Sequence, residues 1–109
     1  MAGRVPKRMA GPAQLTAAAA TQYTVGTSRI GIIRKIHFFN ADTVTRSVTA
    51  SIGADAAGTR IADGYSVATK DYLTLWGPWT LAAAEILQAF ADVTLKVVIT
   101  VDGEEEILL

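Results

Sequence analysis

The segment Ser47 to Ile52 is apolar at Val48, Ala50 and Ile52 and carries a hydroxyl at Ser47, Thr49 and Ser51. A period of two belongs to a strand with one side on a core and the other on water, and a helix cannot present it. Leu95 to Val101 repeats the pattern, with Leu95, Val97, Ile99 and Val101 alternating with Lys96, Val98 and Thr100. Two such strands can supply opposite walls of one sandwich. From Gln14 onward, short runs of β-branched and aromatic residues are separated by Gly, Asp, Asn and Thr at the intervals of an all-β domain. Strands are expected at about 14–19, 22–25, 29–40, 45–53, 59–67, 71–76, 85–91, 94–101 and 105–108. The predicted fold is all-β: a single antiparallel β-sandwich or jelly-roll-like barrel over residues 13–109, preceded by a basic extended arm at residues 1–12.

Two segments resist simple alternation. In the run 29–40 the even positions Ile30, Ile32, Ile36 and Phe38 share a side with Arg34 as the exception, while Ile33 and Phe39 break the pattern. A bulge near Ile32-Ile33, or burial on both faces, accounts for that. Thr80 to Ala91 is rich in helix-forming Ala, Leu, Glu and Gln and is long enough for three turns. Trp76-Gly77-Pro78-Trp79 ends a strand before it, and Ile86, Gln88 and Phe90 can alternate with Leu87 and Ala89. A strand with Ala82 to Ala84 as a turn is the preferred reading, with a helix as the alternative.

Charge is sorted along the chain although the total is zero. Residues 1–46 hold seven cations against one anion, a balance of plus six, and residues 47–109 hold three cations against nine anions, a balance of minus six. A basic beginning and an acidic end can attract copies of the chain or grip an acidic surface without net charge. The first twelve residues, with Gly3, Pro6, Gly11 and Pro12 among Arg4, Lys7 and Arg8, have little to bury and read as an arm that orders against a partner. At the other end, Glu104, Glu105 and Glu106 precede Ile107, Leu108 and Leu109, and exposing three bulky aliphatics forfeits about 1.5 to 3 kcal/mol each. That end is expected to dock within the subunit or against a neighbour. With 109 residues, 50% apolar and only 18% charged, the chain is one domain whose surface suits association. No apolar run approaches the eighteen or so residues that span a bilayer, and Met9-Ala10-Gly11-Pro12 is no signal-peptide core, so neither a membrane span nor secretion is expected.

Candidate chemistry is sparse. There is no cysteine, which removes disulfides and thiolate sites. The sole histidine, His37, sits inside a predicted strand with no carboxylate assigned to orient it, so a packed or surface role is expected rather than a catalytic one. Asp55, Asp63 and Asp71 are spaced by eight, unlike the alternate ligands of a compact calcium loop, and read as turn residues. Gly53-Ala54-Asp55-Ala56-Ala57-Gly58 lacks the lysine of a phosphate loop and reads as a strand connection. Trp76 and Trp79 flank Gly77-Pro78 and are core-edge residues first, interface anchors second and a sugar platform third. Lys35, His37 and Phe39 interleave charge with an aromatic ring, yet a sequence pI near 6.5 argues against nucleic acid. No metal, cofactor or catalytic residue is expected.

Tyr23-Thr24-Val25, Ile33 to Asn40, Val48 to Arg60, Trp76-Gly77-Pro78 and Leu81 to Ala89 together resemble a group of small structural proteins of tailed bacteriophages, over residues 13 to about 101. The resemblance implies a compact β-sandwich displayed in many copies on the virion, without enzymatic activity. Where similar chains have a Gly-containing turn before the position of Glu85, this one has Ala82-Ala83-Ala84. The expected function is that of a capsid decoration protein, a homo-oligomer with the trimer preferred, whose partner is the major capsid protein. Arg4, Lys7 and Arg8 would dock it, and Glu104 to Leu109 would join subunits. The alternative is a tail or fibre module that recognises a host glycan through Trp76, Trp79 and Tyr72, or joins virion parts; a small hydrolase using His37 ranks last.

Overall fold

The computed structural model describes residues 3–108. Among them eight strands form: β1 (Gly3–Gln14), β2 (Ala20–Thr24), β3 (Arg29–Asn40), β4 (Arg46–Ile52), β5 (Arg60–Val67), β6 (Tyr72–Leu81), β7 (Ile86–Ala91) and β8 (Val97–Ile107). They make two four-stranded sheets, ordered β1-β8-β3-β6 and β2-β7-β4-β5, and every neighbouring pair is antiparallel. The chain changes sheet at each step except from β4 to β5. Two four-stranded sheets wound in this order are a jelly roll, so the all-β sandwich reading holds. The inner faces bury Phe38, Leu15, Ile33, Ile36, Leu81, Leu87 and Ile99 completely, with Val48, Ala50, Val97 and Val101 between them.

The irregularity of the 29–40 run is a bulge one residue later than expected. Ile33 faces Gly103 and Lys35 faces Asp102 across β8, which leaves Arg34 as the extra residue. A bulge flips the phase of side chains downstream, so Gly31 and Ile33 face the core before it and Ile36, Phe38 and Asn40 after it. Both Ile33 and Ile36 are thereby buried, which strict alternation forbids. Thr80 to Ala91 adopts the preferred strand form: β6 runs to Leu81, a turn follows, and β7 buries Leu87, Ala89 and Ala91. Glu85 explains why a helix-forming run turns. Its carboxylate accepts the Ala82 amide at 2.7 Å and its amide donates to the Ala82 carbonyl at 3.1 Å. Ala84 takes a left-handed φ of 69°, which a glycine would adopt freely.

Four expectations are corrected. Residues 3–12 are not an arm that waits for a partner: they pair with β8 from Gly3 opposite Ile107 onward, and Met9 is buried in the core. An edge strand needs hydrogen-bond partners more than apolar mass, and β8 provides them; Met1 and Ala2 lie outside the described residues. The predicted strand at 14–19 is instead the end of β1 and a loop anchored by Leu15, which exchanges backbone bonds with Val97 and Leu95 at 2.8 and 2.9 Å. Trp76-Gly77-Pro78-Trp79 does not end a strand, because β6 is at the sheet edge, where a proline lacking an N–H is tolerated. Thr49 and Ser51 do not face water: the 53–64 segment covers them, Gly64 donating to Thr49 Oγ1 at 3.1 Å and Ser51 Oγ donating to Asp55 at 2.8 Å.

The β3–β8 ladder depends on close approach at Gly103. A Cβ there would sit 2.0 Å from the Ile32 carbonyl oxygen, a backbone atom that cannot swing aside. Gly103→Ala is therefore expected to destabilise the fold by at least about 2 kcal/mol, read as a lowered urea midpoint with an unchanged slope. A midpoint equal to that of the unaltered chain would contradict this register.

Candidate functional site

The sequence's charge sorting acquires a geometry once β8 lies between β1 and β3. The acidic end of β8 is flanked on both sides by basic strands. Arg34 on β3 meets Glu104 at 3.3 Å and Lys35 meets Asp102 at 3.7 Å. Lys7 on β1 and Arg29 on β3 converge on one oxygen of Glu105, at 3.2 and 2.9 Å. The hydroxyl of Tyr23, on the facing sheet, donates to the other oxygen at 2.5 Å. Glu105 thus joins both sheets at one end of the sandwich and is only 4% exposed.

A carboxylate held by three donors stays ionised. The Tyr23 hydroxyl, with Lys7 and Arg29, keeps the Glu105 carboxyl below its usual range, although burial pushes the other way. Burial, and then donation to Glu105, drive the Tyr23 hydroxyl upward, so it stays protonated and remains a donor. An open notch of about 260 Å³ lies beside this group, lined by Lys7, Thr24, Gly26, Arg29 and Glu105. Its cations are already turned toward the carboxylate.

Of the residues expected to dock a partner, Lys7 is held by Glu105, while Arg4 and Arg8 are exposed on β1, opposite Glu106 and Asp102 in register, and make no ion pair among the described residues. Of those expected to join subunits, Glu104 and Glu105 have partners inside the chain, Glu106 faces Arg4 and Ile30, and Ile107 completes the ladder. Leu108 donates its amide to the Ser28 carbonyl at 2.8 Å yet is 42% exposed. Leu109, also expected to join subunits, lies outside the described residues. Two of the three acidic side chains, those of Glu104 and Glu105, are thus paired within one subunit.

Trp76 and Trp79 are separated by the fold. Trp79 stands opposite buried Ile33 and packs on the core, whereas Trp76 stands opposite Lys35 and is 72% exposed. The lysine ammonium lies 5.9 Å from the centre of the Trp76 ring. His37 is a surface strand residue: Nδ1 is 3.0 Å from Thr74 Oγ1, and the ring stacks on Tyr72 with centroids 5.3 Å apart. Asp55 and Asp63 hold Arg60, Asp55 doing so with both oxygens, and Asp71 accepts the Tyr72 amide, so these aspartates serve turns and loops. Among the described residues no group of three or more His, Cys, Asp and Glu could hold a metal ion.

Sequence reasoning missed Asn40. Fully buried, it donates to the Val44 and Val67 carbonyls at 2.8 and 2.9 Å and accepts the Asp42 amide at 2.9 Å. An asparagine ending a long apolar strand was its one signal.

No protein-family model and no curated protein matches the sequence. Solved structures match in fold. A chain of the infectious bursal disease virus Gx strain structure superposes with a TM-score of 0.62 at 9% identity, over 98% of this chain and 33% of that one. A chain from the Bacillus endospore appendages, described as a novel family of disulfide-linked pili, gives 0.51 at 17% identity, over 100% of this chain and 88% of that one. The protein spans about a third of the viral chain's length. What it shares with both is the two-sheet architecture, and with no cysteine it cannot make the cross-links that name the pili.

Glu105 makes stability depend on acid. Because its folded-state pKa is depressed, its contribution is present above the ordinary carboxylate value of 4.5 and is lost as pH falls through the folded value. Glu105→Gln is expected to lose about 1 to 3 kcal/mol near neutral pH and to flatten the decline below pH about 4.5. Denaturant titrations across pH 2 to 7 check this, and parallel curves for the two proteins would refute it.

Proposed function

We propose that this chain is a non-enzymatic structural protein of a virus particle, specifically a decoration protein on a tailed-phage head that docks on the major capsid protein. The observation that carries the reading is the outer edge of the sandwich, where β1 presents Arg4 and Arg8 exposed and free of ion pairs among the described residues. Supporting it are the resemblance of residues 13 to about 101 to small phage structural proteins and a jelly roll also found in a viral structure. Fold likeness of this kind is analogy and does not by itself assign a role.

The mode of docking follows from the edges. Pro6 and Pro12 in β1 and Pro78 in β6 interrupt both free edges of the β1-β8-β3-β6 sheet, so main-chain addition of a partner strand to that sheet is blunted. Contact would run through side chains, cations first. Each exposed ion pair is weak, and many copies on one lattice make up the difference. Such a protein works from the virion surface, as a homo-oligomer with the trimer as the first expectation, and needs no cofactor.

The test is binding to heads that lack the protein, prepared from the phage that encodes it. The unaltered chain is expected to bind saturably and to weaken with salt, and Arg4→Gln with Arg8→Gln to bind roughly 2- to 30-fold more weakly. No binding, or binding indifferent both to salt and to the two substitutions, would overturn the reading.

A further inference from the structure

The outer face of the β1-β8-β3-β6 sheet carries a feature that docking through β1 leaves unused. Across β6, β3 and β8 its side chains fall into rows set by the register. One row is Tyr72, Phe39 and Val98, and the next is Thr74, His37 and Thr100. The third is Trp76, Lys35 and Asp102. Two large amphipathic rings, Tyr72 at 63% and Trp76 at 72% exposure, therefore flank a polar row on one face of the sheet. Four residues apart on one strand, they stand about 13 Å from each other.

We propose that this face binds a neutral oligosaccharide, laid along β6 across Tyr72, His37 and Trp76. Three features select that chemistry. With one side of Tyr72 against His37 and one side of Trp76 under Lys35, each exposed ring keeps its other side as an apolar face on which the C–H side of a pyranose can rest. Their polar tips, Tyr72 Oη and Trp76 Nε1, together with His37 Nε2, make no hydrogen bond among the described residues, while Nδ1 of His37 is fixed by Thr74. Sugar hydroxyls both donate and accept, so they can satisfy all three. An apolar protein partner would bury those tips unpaired, at a cost that disfavours it.

Charge separates a sugar from a nucleic acid. The cation among the rings, Lys35, is paired with Asp102 at 3.7 Å, and its neighbour Arg34 is paired with Glu104 at 3.3 Å. A phosphate chain would have to compete with both carboxylates, whereas a neutral sugar leaves the pairs intact. The face is also held in shape before any ligand arrives, by the Lys35–Trp76 contact and the His37–Tyr72 stack. Preorganised rings lose little freedom on binding.

This site is independent of the virion reading, since Arg4 and Arg8 lie on another strand. The test is isothermal calorimetry of the full chain with cellohexaose, chitohexaose and maltohexaose, and, in a Trp79→Phe background, the fluorescence of Trp76 alone. At least one sugar is expected to bind and to shift Trp76 emission. Trp76→Ala and Tyr72→Ala are each expected to weaken it by roughly tenfold without lowering the thermal midpoint, since both rings are exposed. Arg4→Gln with Arg8→Gln should leave sugar binding unchanged. The proposal is overturned if none of the sugars binds, if binding survives both ring substitutions, if oligothymidylate binds the face in their place, or if Trp76 proves to be covered by a second copy in a concentration-dependent oligomer.

Discussion

The pairing of β8 with two basic strands is the interaction on which this fold depends. β8 joins the last part of the chain to its first strand and to β3, so it closes the longest loop in the molecule and fixes the order β1-β8-β3-β6. Such closure costs entropy that local contacts cannot recover. It is offset by two antiparallel ladders, by Val97, Ile99 and Val101 on the core, and by ion pairs from Lys7, Arg29, Arg34 and Lys35 to the acidic end of β8. Exposed pairs contribute little each, but Glu105 differs because it is buried and bonded to both sheets. Opposite charges on neighbouring strands also disfavour a register slip, which would set Lys7 and Arg29 away from their carboxylate.

The same interaction changes the meaning of the charge pattern. As a linear string, a basic half and an acidic half suggest adhesion between copies. In three dimensions most of that polarity is consumed inside one subunit, because strands distant in sequence are neighbours in the sheet. What the basic strands leave without an ion pair among the described residues is Arg4 and Arg8 on the β1 edge, and the ring-bearing face of β3 and β6 is a second exposed surface. These surfaces differ in chemistry, one cationic and one amphipathic, and they lie on different strands, so each can be altered without disturbing the other.

Arg46–Ile52 was legible from its period of two, and Arg29–Asn40 and Ile86–Ala91 lie close to their expected limits despite broken alternation. The alternation that starts at Leu95, by contrast, enters β8 only at Val97 and leaves Leu95 exposed. Gly3–Gln14 was not legible, because strand formation there depends on β8 as a hydrogen-bonding template and leaves no apolar alternation beyond Met9. The passage of β6 through Gly77-Pro78 was hidden for a related reason: proline marks a break unless the strand is known to lie at an edge. The clustering of Lys7, Arg29, Tyr23 and Glu105 draws on four separated segments, and only the sheet order brings them together. The division of Trp76 from Trp79 needed the register that sets one opposite Lys35 and the other opposite Ile33.

The central claim is that the basic beginning of the chain is a strand of its own sheet. Amide hydrogen exchange on the dilute, isolated protein tests it most directly. The account predicts that amides of β1 paired with β8 between Arg4 and Arg8 exchange far more slowly than in an unfolded peptide, to an extent independent of protein concentration. Exchange at the unfolded rate, or protection that arises only as concentration is raised, would contradict it.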